Sequence, residues 1–93
     1  MISAVTPAYN EEESIDTFYK VLVPNLIKAD KDYEIVFVDD GSTDNTLRKL
    51  KELESKNSRV KVFSFRKNKG KAEALTAGFQ AANGDLIVTL DAD

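Results

Sequence analysis

The chain has 93 residues, 42% hydrophobic and 31% charged, with a net charge of −3. This is the balance of one small folded domain rather than a disordered chain, and a pI near 4.9 gives no electrostatic reason to expect nucleic acid or an anionic membrane as partner. Neither Cys nor His occurs, which excludes disulfides, thiolate chemistry, and imidazole catalysis or ligation; Asp, Glu, Lys, Tyr and the backbone remain.

The opening "MISAVTPAYN" has no basic segment and its apolar run breaks at Pro7, so it does not read as a signal peptide. Its β-branched stretch, residues 2–6, predicts a first strand. A helix over residues 12–29 follows, with Ile15, Phe18, Tyr19, Leu22, Leu26 and Ile27 as one apolar stripe; Pro24 inside it predicts a kink or an early end. "YEIVFVD" predicts a second strand over 33–39. A second helix over 44–55 has Ser42, Thr43 or Asp44 as cap and Leu47, Leu50 and Leu53 as buried face. A third strand over 60–65 leads to a third helix over 71–82, with Ala74, Leu75, Gly78, Phe79 and Ala82 inward. "NGD" then predicts a stop with Asn83 or Gly84 left-handed. "DLIVTL", residues 85–90, predicts a fourth strand. It and the second strand are nearly continuous apolar runs, the pattern of strands covered on both faces.

No run approaches the 18 apolar residues of a spanning helix. The alternation β-α-β-α-β-α-β predicts an α/β fold, a three-layer Rossmann-like parallel sheet of order 3-2-1-4 with right-handed crossovers. The first two helices should lie on one face and the third on the other. Residues 1–93 read as one unit.

Polar residues gather after each strand, at the edge where open parallel sheets bind ligands. In "VDDGSTDNT", a strand-turn-helix junction accounts for Ser42 and Asp44, but not for two adjacent carboxylates. Asp39 or Asp40 could accept from a base N–H or a ribose hydroxyl. In "PAYNEEE", Tyr9 could offer a flat face to a base or belong to the core, and Glu11 could serve either purpose; Glu12 and Glu13 suit a helix start. "RKNKGKAEAL" is neither a P-loop nor a GxGxxG motif. It reads as a solvated basic loop, or as a phosphate site in which Gly70 opens a helix N-terminus and Lys69 or Lys71 adds charge. In "DAD", Asp91 and Asp93 project the same way if extended, and two hard oxygen donors suit Mg²⁺ or Mn²⁺.

Taken together, "TPAYNEEESI", "EIVFVDDGSTDNT", "NKGKAEALTAGFQAANGD" and "LDAD" resemble, in order and spacing, a family 2 glycosyltransferase of the GT-A fold. The resemblance spans the whole chain. The "NKGKAEAL" and "DAD" forms are most similar to the polyprenol-phosphate and dolichyl-phosphate sugar synthases. It implies inverting transfer of a sugar from a UDP- or GDP-sugar to an acceptor, with polyprenyl phosphate among the acceptors. Pro7, Ala8, Tyr9 and Glu11 would line the nucleoside pocket. Asp40, with Asp39, would bind the base, Lys71 and Lys69 would lie near base or diphosphate, and Asp91 and Asp93 would hold ribose and metal.

Family domains run to twice this length or more, so the chain is expected to be a nucleotide-binding half cut at its metal motif. The catalytic base is then expected downstream of residue 93, and so are any membrane helices. A cytoplasmic location follows, with the parent at the cytoplasmic face of a membrane. The exposed edge strand predicts a homodimer. Two other readings compete: an autonomous or engineered α/β nucleotide-binding scaffold without catalysis, and a receiver-like signalling domain. The second ranks last, because receivers carry their acidic pair after the first strand.

Overall fold

The structure, a computed structural model, describes residues 1–92. Strands β1 (Ile2–Ala8), β2 (Tyr33–Asp39), β3 (Val60–Ser64) and β4 (Leu86–Thr89) alternate with helices α1 (Ile15–Ala29), α2 (Thr46–Lys56) and α3 (Lys71–Ala81). The sheet is parallel, in the order β3-β2-β1-β4, as expected.

Strand alternation sorts the core into two layers. Ile2, Ala4, Ala8, Ile35 and Phe37 face one way and pack with Ile15, Leu22 and Leu26 of α1 and Leu50 of α2. Val5, Val36 and Val38 face the other way, against Ala74 of α3. Helices α1 and α2 thus share a face and α3 has the other. Phe37 is the largest fully buried side chain. Phe18 meets its ring edge-on, with centroids 6.4 Å apart. Removing a buried ring of this kind costs about 3–5 kcal/mol.

Every residue of β2 is buried, which its apolar run predicted. The same expectation fails for β4: Leu86 and Ile87 are exposed, because β4 is an edge, paired only to β1 among the described residues and reached by little of either helical layer. Ile27 and Phe79, expected to face inward, are also exposed. Both sit beside the packed stripe of their helix rather than on it: Leu26 is buried next to Ile27, and Ala81 and Ala82 still pack on the core beyond Phe79. Helix α1 runs through Pro24 to Ala29 without stopping. Helices α1 and α2 begin later than the periodicity suggests, since residues just before each are drawn into turns.

The end of α3 is a further correction. Neither Asn83 nor Gly84 is left-handed; the cap residue Ala82 is extended, with φ −73° and ψ 137°. Gly84 is required for space instead. A Cβ there would stand 2.5 Å from Ser3 Oγ and 2.7 Å from the Met1 carbonyl. At this N-terminal edge of the sheet, Gly84 N–H donates to Ser3 Oγ (2.7 Å), and Ser3 Oγ donates to the buried Glu34 (2.6 Å). Asn83 N–H and Lys61 Nζ complete the ring around Glu34, at 2.6 and 2.8 Å. Burial alone would push the Glu34 carboxyl up, but the Asn83 N–H, Lys61 and Ser3 outweigh it and hold the group below the ordinary range.

Candidate functional site

At the opposite edge, the carboxyl ends of β1, β2 and β4 open into a cleft. Pro7, Ala8, Tyr9, Glu11, Asp40, Lys71, Asp91 and Ala92 line it. Seven of these eight are residues that the resemblance assigns to the nucleotide-sugar site, Asp91 among them; Ala92, inside "DAD", has no role in that assignment. Tyr9 is exposed rather than in the core, so its ring is free to meet a ligand.

The two adjacent aspartates part company here. By strand alternation Asp39 follows Ile35 and Phe37 toward the α1/α2 layer, while Asp40 projects to the α3 side. Asp40 is bound by the loop before α3. Its Oδ1 accepts from Lys69 N–H at 2.7 Å. Its Oδ2 accepts from Gly70 N–H and from Asn68 Nδ2, each at 3.1 Å. Gly41 makes this approach feasible: its φ is +71°, and a Cβ would stand 2.3 Å from the backbone of Lys67 and Asn68. Asn68, a residue to which the motif reading gave no role, is thus central to the site. Its partner lies 28 positions away, so no local signal marks it.

Asp39 is 2% exposed and does not line the cleft. Its Oδ1 has no hydrogen-bond partner among the described residues. Burial pushes its carboxyl above the ordinary range; Ser42 opposes this, and Asp44 and Asp40 add to it. Lys69 also stays out of the cleft. Its ammonium sits over the Phe65 ring, 4.8 Å from the centroid, and it serves the site through its backbone N–H.

The loop after β1 is pinned to the loop after β2. Asn10 N–H donates to Ser42 Oγ (2.9 Å) and Asn10 Oδ1 accepts from Thr43 N–H (2.8 Å). Glu11 N–H donates to Thr46 Oγ1 (2.8 Å). Asn10 itself is left-handed, φ 52°. Asp44, one of the expected caps, accepts from Thr46 N–H at 2.9 Å, just outside the first turn of α2. Burial would raise its carboxyl, but Thr46 and the Glu12 N–H hold it below the ordinary range.

Lys71, the first residue of α3, reaches across the cleft to Asp91: Nζ to Oδ1 is 2.7 Å, with both side chains more than half exposed. Asp91 therefore offers a hard oxygen to the cleft and already has a cation beside it. Among the described residues no group of three His, Cys, Asp or Glu could hold a metal. Magnesium-type ions usually take one or two carboxylates, completing their sphere with water and substrate phosphates. Among the described residues the donor set, one exposed carboxylate beside an ammonium, is no standing protein cage and would leave most of a divalent ion's sphere to other ligands. Asp93, expected as the second ligand, lies outside the described residues.

The comparisons agree with the motifs. The model of glycosyl transferase family 2 matches residues 3–93. The chain belongs to glycosyl transferase family 2. It is 39% identical over 93 residues to the undecaprenyl-phosphate 4-deoxy-4-formamido-L-arabinose transferase of Proteus mirabilis (strain HI4320), covering 99% of this chain and 28% of that protein. Among solved structures, the mannosyltransferase PcManGT of Pyrobaculum calidifontis, in complex with GDP-Man and Mn²⁺, superimposes with a TM-score of 0.83 at 27% identity, over 99% of this chain and 27% of that one. TarS 1-349 of S. aureus, in complex with UDP-GlcNAc, gives 0.79 at 30% identity, over 99% and 26%. The family 2 chain thus spans little more than a quarter of these relatives' length. Its sheet has the GT-A arrangement. Among the described residues no helix is long and apolar enough to cross a membrane.

Proposed function

We propose that this chain is the donor-binding part of an inverting glycosyltransferase, which transfers a sugar from a nucleoside-diphosphate sugar to an acceptor of the polyprenyl phosphate class. One observation carries the reading: an apolar wall, a basic helix start and the exposed Asp91 carboxylate converge on one cleft at the carboxyl edge of a parallel sheet. Each element matches one part of such a donor. Pro7, Ala8 and Tyr9 give the base a flat apolar seat. Asp40 accepts from a base N–H while anchoring the 68–70 loop. Lys71, at the positive end of α3, faces the diphosphate, and Asp91 holds ribose and a share of Mg²⁺ or Mn²⁺. When bound, the ion would neutralise the departing diphosphate. The names of the Proteus and Pyrobaculum relatives support the acceptor class and the use of metal.

Among the described residues, none stands ready as a base for the acceptor hydroxyl. Glu12 donates its N–H to Asp44 and its carbonyl accepts from Lys49, and Glu13 and Glu73 are exposed away from the cleft. The chain by itself is expected to bind donor without transferring sugar.

Calorimetry with UDP and GDP tests the reading. Binding tighter with Mn²⁺ than without, and weaker in Asp40→Ala and Lys71→Ala, is the expected result. No binding of either nucleotide up to millimolar concentration would leave a scaffold without this activity.

A further inference from the structure

We infer that the outer edge of β3 is a docking surface for an extended acidic segment, which joins the sheet as a further strand. The net charge of −3 hides a sharp division along the chain. Seven of its 13 Lys and Arg, and none of its 16 Asp and Glu, fall between Ser55 and Ala72. That stretch is β3 with the connections on either side of it. Lys61 and Lys71 are paired with Glu34 and Asp91, and Arg59 lies 3.7 Å from Asp32. Lys56, Arg66 and Lys67 are exposed, with no carboxylate beside them among the described residues.

The backbone of β3 shows which groups are free. The Arg59 carbonyl accepts from Ile35 N–H at 2.8 Å, and Phe65 N–H donates to the Asp39 carbonyl at 2.9 Å. Alternate residues from Arg59 to Phe65 therefore bond to β2, and Val60, Val62 and Ser64 between them turn their N–H and C=O outward. Val60 N–H donates to the Asn57 carbonyl at 3.0 Å. Val62 N–H donates to Glu54 Oε2, on the last turn of α2, at 2.8 Å. The Ser64 N–H and the Val62 and Ser64 carbonyls face outward with no partner among the described residues.

Cations beside an edge strand discourage pairing in general, but they do so selectively: they repel a basic strand and draw an acidic one. Glu54 shows the preference within the chain, since the acceptor found on Val62 N–H is a carboxylate standing among these cations. Strand addition takes its affinity from main-chain hydrogen bonds and its specificity from alternate side chains. Phe63, 44% exposed on the face that α3 leaves uncovered, gives an apolar residue of the partner a seat. A flat anionic bilayer would satisfy the cations and leave the outward N–H and C=O groups unpaired. Glu54 is then an internal competitor, holding the place of the incoming strand's first acceptor until that strand displaces it.

Amide NMR of the chain at low salt, titrated with a short end-blocked peptide of alternating Glu and Val, tests this. The peptide should shift the Val62 and Ser64 amides, slow exchange at Ser64, and bind at least about tenfold tighter than its Lys/Val counterpart. A Glu/Val peptide N-methylated at its pairing amides keeps every charge but cannot form the ladder. It should bind at least about threefold more weakly, a result that depends on no variant folding. Glu54→Ala, which removes the competing carboxylate, should tighten the unmethylated peptide at least about threefold. Equal binding of the Lys/Val or the N-methylated peptide would overturn the inference, as would no binding up to millimolar concentration. Shifts at Lys71 and Asp91 in place of Val62 and Ser64 would put the peptide in the cleft and overturn it too. Phosphatidylglycerol vesicles that shift the β3 amides where the peptide does not would make the edge a bilayer contact instead. An affinity unmoved in Glu54→Ala would overturn the role given to Glu54.

Discussion

Two neighbouring aspartates show how much one residue's surroundings decide. Asp40 has its charge met by two backbone N–H groups and an amide; Asp39 is buried with one oxygen unpartnered among the described residues. An acid whose folded pKa is raised holds its proton more tightly in the folded state, so stability falls as pH rises through and beyond the ordinary carboxylate range. Asp39→Asn removes that cost. The variant should gain on the wild type between about pH 4 and pH 7, read as the difference in urea midpoint at the two values. A difference that does not change with pH would mean that Asp39 ionises in the fold as freely as in the unfolded chain. Asp40→Ala should destabilise the fold instead. It leaves the Lys69 and Gly70 N–H groups without their acceptor, at a cost on the order of 1–3 kcal/mol at neutral pH, and amide exchange should quicken at those two positions.

At the scale of elements, the loops hold the strands in place from both edges. The Glu34 ring joins β1, β2, β3 and the α3–β4 turn far from the cleft. Its carboxyl is held below the ordinary range, so its contribution is present above the unfolded value and is lost as pH falls through the folded one. Asp44 acts in the same direction. Glu34→Gln should therefore destabilise the chain at pH 7 by about 1–3 kcal/mol and flatten the acid limb of its stability profile, without altering nucleotide affinity. Thermal unfolding across pH, beside calorimetry, separates the two effects. The same contrast explains what could be read in advance. Strand β2 matches its expected bounds residue for residue because burial on both faces leaves no polar interruption. Helix starts were misjudged because Glu12 and Asp44 look like helix residues and are held instead by partners more than 30 positions away. Periodicity shows that "DLIVTL" is apolar but not what covers it. The cleft was legible as far as its motifs touch the ligand edge. Asn68 was not, because its contribution exists only once the 68–70 loop has folded back onto Asp40.

For the molecule as a whole, the unequal edges of the sheet are the main consequence. At the β4 edge Leu86 is 56% exposed and Ile87 39%, and the backbone groups turned away from β1 have no strand to pair with among the described residues. Natural edge strands avoid pairing with other chains through charges, Pro, bulges or brevity. Strand β4 has only the last: it is four residues long, "LIVT", with no charge inside it. Asp85 just before it is the nearest charge. Two copies meeting along β4 would continue the sheet and bury Leu86 and Ile87 of each. We expect this chain to self-associate as concentration rises, and Leu86→Lys to suppress it by placing a charge in the strand. The substituted side chain is more than half exposed, so the fold should keep its stability to within about 0.5 kcal/mol. Sedimentation velocity over a hundredfold concentration range, with urea unfolding of both proteins, reads the two effects apart. A wild type that stays monomeric throughout would show that the short, twisted edge is protection enough. Association that persists unchanged in Leu86→Lys would move the contact elsewhere, with the β3 edge and its exposed Phe63 next in line.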